Sequence, residues 1–255
     1  GPMTRSVRDA AIMLTAMAGS DPQDAATANA DTWRGDYSKG LSVDALKGMR
    51  IGVLRAPNVD AALFDAALAT LKAGGAEIVL LDGSKIDRQK IGQGEFKVLL
   101  AELKADLATY LQGLPEGLVP HKRLADVIAF NKANASAELQ HFGQDIFETA
   151  DKEAGLDDPA YLQALATSRG LASGALNQFF AHDKIDVIIA QTNGPAWLST
   201  LGKGDAFTGP SASQLPAVAG FPHLTVPMGL SAGLPVGLSF IGPKWHDHAV
   251  LKAGY

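Results

Sequence analysis

The sequence predicts an α/β protein in which helices pack on a mixed β-sheet. Three observations carry that expectation. An apolar run at 49–54, a helical pattern at 61–71 and a second apolar run at 76–81 form one βαβ crossover, which makes two strands parallel. Helical periodicity dominates from 95 to 182. Strand signals then return at 187–190, 223–226 and 236–241, separated by turns rich in glycine and proline.

The elements follow in chain order. Val7, Ala10, Ala11, Leu14 and Ala18 recur at helical spacing, Ser6 and Asp9 fit a capping box, and Gly19 lies just past the end. Residues 21–47 are rich in Asp, Ala, Thr and Gly and read as a long surface loop anchored by Trp33 and Tyr37. The run at 76–81 reads as a buried strand ending at Asp82. A dinucleotide fold is excluded, because the turn after Leu54 reads Arg55-Ala56-Pro57-Asn58 without the glycines that admit a pyrophosphate. Gly92-Gln93-Gly94 is no substitute, since no strand leads into it. In the helical region Phe96, Leu99, Leu100, Leu103 and Leu107 form one stripe and Leu124, Val127 and Ile128 another. A last helix begins near Asp247.

Composition narrows the function classes. At 255 residues, 47% hydrophobic and 19% charged, the chain is long enough to bury a core and too apolar for disorder. Its 22 basic and 27 acidic residues give a net charge of −5 without a clustered positive excess, which argues against a nucleic-acid partner. Cysteine is absent, so a disulfide scaffold, a thiolate metal site and a cysteine nucleophile are excluded. No apolar stretch reaches the roughly 18 residues of a membrane span.

Four groups of residues invite a chemical reading. Gly229-Leu230-Ser231-Ala232-Gly233 matches a nucleophile elbow, but Leu234-Pro235 and a strand follow where a helix is required, so Ser231 reads as a hairpin residue. His246 and His248 flank Asp247 at a spacing unsuited to one helical face, with no third ligand nearby, and read as a solvated helix start. Lys122-Arg123 is too short a basic patch for nucleic acid and reads as a solvated helix end. The segment Gln191-Thr192-Asn193-Gly194-Pro195-Ala196-Trp197 directly follows a buried strand, and ligands of open α/β sheets collect at strand carboxyl ends. It is equally compatible with ordinary turn chemistry and a core-capping indole.

Gly1-Pro2-Met3-Thr4-Arg5-Ser6-Val7 with Asp9-Ala10, the run from Lys47 to Val53, and Gly220-Phe221-Pro222 leading through Thr225-Val226-Pro227 to Gly233-Leu234-Pro235-Val236-Gly237-Leu238 resemble the later half of amidase-signature hydrolases. Within that family the chain is most similar to peptide amidases, through Glu102-Leu103-Lys104-Ala105-Asp106-Leu107, Ala129-Phe130-Asn131, Phe142-Gly143-Gln144 and the segment from Thr192 to Trp197.

The resemblance implies the family's α/β fold in incomplete form, with 1–255 as the carboxyl-terminal part of a single domain carrying a helical insertion at about 93–182. It implies amide hydrolysis by a serine nucleophile, a second serine in a cis peptide and a lysine, all in a glycine- and serine-rich region with no equivalent here. No catalytic residue is therefore assigned within the chain, no metal or cofactor is expected, and the chain alone is expected to be inactive. The oxyanion donors belong to the same upstream region. The implied substrate is a peptide C-terminal amide or a similar carboxamide, and the pocket wall would use Thr192, Asn193, Gly194, Pro195 and Trp197, with Phe221 and His223 at a neighbouring strand entrance. Truncation at both ends is expected, the missing amino-terminal half being the principal partner and self-association a consequence of its loss. Gly1-Pro2 fits either the family pattern or a tag scar. The expected compartment is cytoplasmic, with the periplasm left open. The alternative is a non-catalytic binding or scaffold module that keeps the pocket wall.

Overall fold

The computed structural model describes residues 1–207 and 209–255. In chain order the elements are helix α1 (Val7–Met17), a 3-10 turn (Ala25–Thr27), α2 (Ala30–Trp33), strand β1 (Arg50–Val53), α3 (Ala61–Ala73), β2 (Glu77–Leu80), α4 (Arg88–Gly113), α5 (Leu124–Ala133), α6 (Ala135–Glu138), α7 (Asp145–Asp151), α8 (Pro159–His182), β3 (Val187–Gln191), α9 (Gln214–Ala219), β4 (His223–Ser231), β5 (Leu234–Ile241) and α10 (Asp247–Gly254).

Among the described residues the five strands form one mixed sheet in the order β2-β1-β3-β5-β4. β1 pairs in parallel with β2 and β3, while β5 runs antiparallel to both β3 and β4. The parallel crossover is the one read from residues 49–81. The fold class is thus the expected one, helices on a mixed sheet.

The chain divides into two units. The first comprises Gly1–Ile86, Ala172–Trp197 and Phe207–Tyr255. Its core lies on one sheet face, where Ile51, Val53, Val187, Ile189, Leu238 and Phe240 pack with Phe64 and Leu71 of α3 and Val250 and Ala253 of α10. Strand alternation sends these residues to one side and Ser239 and Thr225 to the other. At α1 Ser6 is the N-cap, but the bonds are not those of a full capping box: the Asp9 N–H donates to Ser6 Oγ at 3.1 Å, while Asp9 Oδ2 accepts from the Ser6 hydroxyl at 2.7 Å rather than from the Ser6 N–H. Ala10 and Ala11 of α1 then pack on Leu251 of α10 with Tyr37 and Leu41.

The second unit, Asp87–Leu171 with Leu198–Ala206, is helical apart from its loops. Leu100, Leu124, Ile128 and Ala150 form its core. Gly94 lies where α4 meets the first half of α8: a Cβ there would come 2.9 Å from the Ala164 carbonyl and 3.0 Å from Ser168 Cβ. Close helix packing, rather than ligand binding, thus explains this glycine. The Lys104 ammonium donates to the carbonyls of Asp151 at 2.6 Å and Glu153 at 2.8 Å, closing the end of α7.

Several expectations need correction. Residues 76–81 do not form a buried strand: β2 is the sheet edge, and Leu80 is 78% exposed because only β1 flanks it. The loop at 21–47 is interrupted by the 3-10 turn and α2, with Asp24 capping the turn through the Ala26 N–H. The stripe on α4 splits, for Leu100, Leu103 and Leu107 join the core while Phe96 and Leu99 stay exposed. Lys122-Arg123 does lie at a helix end, the entrance of α5 with Arg123 exposed, but the Lys122 ammonium is not simply solvated: it donates to the Leu111 carbonyl of α4 at 2.9 Å. β4 extends five residues beyond Val226, to Ser231, through a register shift between Pro227 and Gly229.

Candidate functional site

β3 is the central strand, and all five of its residues are buried. Five apolar or amide side chains with β1 on one side and β5 on the other make it a fixed platform for the segment beyond it. At its carboxyl end the chain continues into Thr192, Asn193, Gly194, Pro195 and Trp197. The Thr192 N–H donates to the Gly237 carbonyl at 2.8 Å, and the Thr192 carbonyl accepts from the Ala212 N–H at 2.9 Å. Asn193 forms an isolated bridge with Ser211. Gly194 lies against Gly209 so closely that a Cβ would fall 2.6 Å from the Gly209 Cα, a fit only glycine permits. The Trp197 ring, 42% exposed, meets Phe207 edge-on at 5.3 Å.

A row of polar side chains crosses the sheet beneath this segment. Thr192 Oγ1 is 2.7 Å from Thr225 Oγ1 and 2.8 Å from Ser239 Oγ, and Ser239 Oγ is 2.7 Å from His223 Nε2. Thr192, Gly237, Ser239, Thr225 and His223 share one sheet face: Thr225 pairs with Ser239, Thr192 lies beside Gly237, and His223 and Thr225, like Gly237 and Ser239, are two residues apart on their strands. His223 is exposed as a residue, yet the environment around its ring is desolvating enough to hold its pKa below the usual histidine value. The Ser239–His223 contact has the form of a nucleophile with its base, but Ser239 is fully buried and no carbonyl carbon can reach it. The row therefore holds and orients hydrogen-bonding groups.

On the opposite face, Gln191 Oε1 accepts from the Asp60 N–H at 2.9 Å and Gln191 Nε2 donates to the Asn193 carbonyl at 3.0 Å. Asp60 caps α3 through the Leu63 N–H, and the Ser231 hydroxyl with that N–H holds its carboxyl below the usual carboxylate range. Ser231 itself ends β4, and Ala232 and Gly233, with φ of 49° and 80°, form the two-residue turn into β5. The hairpin reading of the elbow-like motif is the one the fold takes.

The structure thus brings Thr192, Asn193, Gly194 and Pro195 together at one strand end, with Trp197 beyond them, and ties Thr192 to His223 through Ser239. Phe221 lies apart: it is 9% exposed and stacks on Phe180 at 6.2 Å. His246 donates to the Lys244 carbonyl and His248 to the Lys39 carbonyl, so the two rings serve different contacts. Among the described residues no group of three His, Cys, Asp or Glu is placed to hold a metal ion, and no helix is long and apolar enough to cross a membrane. Sequence reading placed Gln191 at the head of the candidate segment without a role, and missed Thr225, Gly237 and Ser239 as members of the site. The available signal was alternation, since a serine between Leu238 and Phe240 in a buried strand requires a polar partner.

The amidase family profile matches residues 1–251. The chain belongs to the amidase family. This amidase-family chain is 39% identical over its whole length to the native peptide amidase from Stenotrophomonas maltophilia, with a TM-score of 0.89 and 52% of that chain covered. A peptide amidase in complex with the competitive inhibitor chymostatin is matched with a TM-score of 0.92, again at 39% identity over all of this chain and 52% of the other. Among sequence relatives, a glutamyl-tRNA(Gln) amidotransferase subunit of Rhodospirillum rubrum is 33% identical over 278 residues, covering 100% of this chain and 51% of the relative. The chain spans about half the length of the relatives it matches.

Proposed function

We propose that this amidase-family chain is the carboxyl-terminal part of an amide hydrolase acting on peptide C-terminal amides or similar carboxamides, and that it supplies sheet strands and one wall of the substrate pocket. The observation that carries the proposal is the polar segment at the end of β3, from Thr192 to Trp197, set in a chain 39% identical throughout to a peptide amidase. Backbone and side-chain hydrogen-bonding groups lie beside an exposed indole there, a combination suited to a peptide whose terminal carboxamide must be held while an apolar side chain is covered. In this reading Thr192, Asn193, Gly194, Pro195 and Trp197 bind and orient substrate, with His223 and Phe221 as supporting residues. Nucleophile, base and oxyanion donors come from the upstream half.

The fold supports a jointly built sheet. Among the described residues β4 is paired on one side alone, to β5, which leaves a nine-residue strand edge for a further strand. The upstream half is the proposed occupant, and without it self-association through that edge is expected. A second reading, a non-catalytic binding or scaffold module, is favoured by one observation: Ser239, the serine in contact with His223 Nε2, is itself fully buried and closed to substrate.

Co-production of this chain with the upstream half, followed by assay on a peptide C-terminal amide, decides between them. The chain alone is expected to give no rate above buffer, and the complex to hydrolyse the amide in proportion to complex formed. A stable, folded complex without hydrolysis of any such amide refutes the hydrolase assignment and leaves the scaffold reading.

A further inference from the structure

Gln191 is the last residue of the central strand and is 2% exposed, one of three buried polar or charged residues among those described. Its side chain makes a hydrogen bond at each end, accepting from the Asp60 N–H and donating to the Asn193 carbonyl. Those partners fix the orientation of the amide, because a backbone N–H can only donate and a carbonyl can only accept. The bridge joins the entrance of α3 to the segment after β3, across 131 residues of sequence on the Asp60 side. At a buried site, an uncharged group that accepts at one end and donates at the other is what the two partners require. A carboxylate would face the Asn193 carbonyl with a second acceptor, and an apolar side chain would leave both backbone groups without this partner.

We infer that Gln191 is a positioning residue: its amide sets the backbone of Asn193, and with it the placement of the pocket wall from Asn193 to Trp197 against a bound carboxamide. The inference rests on the functional reading above, and it adds a residue that no part of that reading uses. Asp60 carries the brace further, because its carboxyl also takes the Leu63 N–H and the Ser231 hydroxyl. The tip of the β4–β5 hairpin, the first turn of α3 and the wall segment therefore share one buried amide.

The test uses the full-length enzyme with two variants, Gln191→Met and Gln191→Glu, and two readouts. Methionine keeps the volume and removes both hydrogen bonds. Gln191→Met is expected to raise hydrogen–deuterium exchange at the Asp60 amide and in a peptide spanning 192–199. It is also expected to raise KM for a peptide C-terminal amide about tenfold or more while kcat changes by about twofold or less. Gln191→Glu is expected to show the raised KM at neutral pH and to recover as pH falls, because the protonated acid again donates at one oxygen and accepts at the other. A merely space-filling role predicts wild-type behaviour for methionine and no such pH dependence for glutamate. Unchanged exchange in Gln191→Met overturns the brace itself, and altered exchange with a wild-type KM overturns its part in substrate binding. A wild-type enzyme that hydrolyses no amide refutes the functional reading instead, and exchange then still decides whether Gln191 holds the segment.

Discussion

The hydroxyls of Thr192 and Thr225 meet at 2.7 Å across β5 because the residue between them is Gly237. A Cβ at that position would lie 2.5 Å from Thr225 Oγ1 and 2.9 Å from Thr192 Oγ1, where real side chains do not pack. Both neighbours are β-branched and stiff at χ1, so neither can swing aside cheaply. One glycine thereby allows the end of β3 and the edge strand β4 to share a hydrogen bond over the strand that separates them.

Gly237→Ala is accordingly expected to destabilise the protein by about 1–3 kcal/mol, the usual cost of forcing extra volume into a packed site. Denaturant unfolding measures it. Unfolding at the wild-type midpoint would show that the threonine pair yields without strain.

The second prediction concerns pH. Desolvation holds the His223 pKa below its ordinary value of 6.5, so the folded protein favours the neutral ring. The unfolded chain then binds more protons in the interval below that value, and stability rises with pH there. The contribution is fully present above about pH 6.5, and is lost as pH falls through the lower folded value. Unfolding measured across this range should show a slope that His223→Gln removes, and an imidazole NMR titration should place the His223 midpoint below that of an exposed histidine.

A third prediction links two chain segments through a titration. The Ser231 hydroxyl is the largest influence holding the Asp60 carboxyl below its ordinary 3.8, followed by the Leu63 N–H. The folded pKa is depressed, so the associated stability is present above that ordinary value and lost as pH falls further. Ser231→Ala should move the Asp60 midpoint upward in a carboxyl NMR titration. If the proposed complex with the upstream half hydrolyses peptide amides, that activity should be retained in Ser231→Ala, whereas a nucleophilic Ser231 would abolish it.

Trp197→Ala provides the fourth. The indole contacts Phe207 at 5.3 Å and is 42% exposed, and the function proposed above gives it a wall role rather than a reacting one. On the function proposed above, steady-state kinetics of the complex with the upstream half on a peptide amide should show a raised KM with kcat little changed. A loss confined to kcat would place the ring at the chemical step.

In the helical unit, Lys104→Met should destabilise by about 1–3 kcal/mol, since it deprives the carbonyls of Asp151 and Glu153 of a charged donor. Calorimetry or denaturant unfolding reads the change, and an unaltered transition would mean that water replaces the ammonium at no cost.

By itself the sequence determined the local elements and their types. Ser6 and Asp9 specify the start of α1, the helical spacing over 61–71 specifies α3, and the turn ending at Gly233 before Leu234-Pro235 specifies a hairpin, because caps, periods and turns act between residues near in the chain. It also carried the family resemblance through motifs that lie in order along the chain. Tertiary structure alone decided strand order, which made 76–81 an edge rather than a buried strand, since an apolar run reads the same wherever its neighbours fall. It alone joined Gln191 to Asp60 and His223 through Ser239 to Thr192, for those partners are separated by 131, 16 and 47 residues. A buried polar side chain announces that it needs a partner, but which one it finds depends on the register of the sheet, and only the packed chain sets that register.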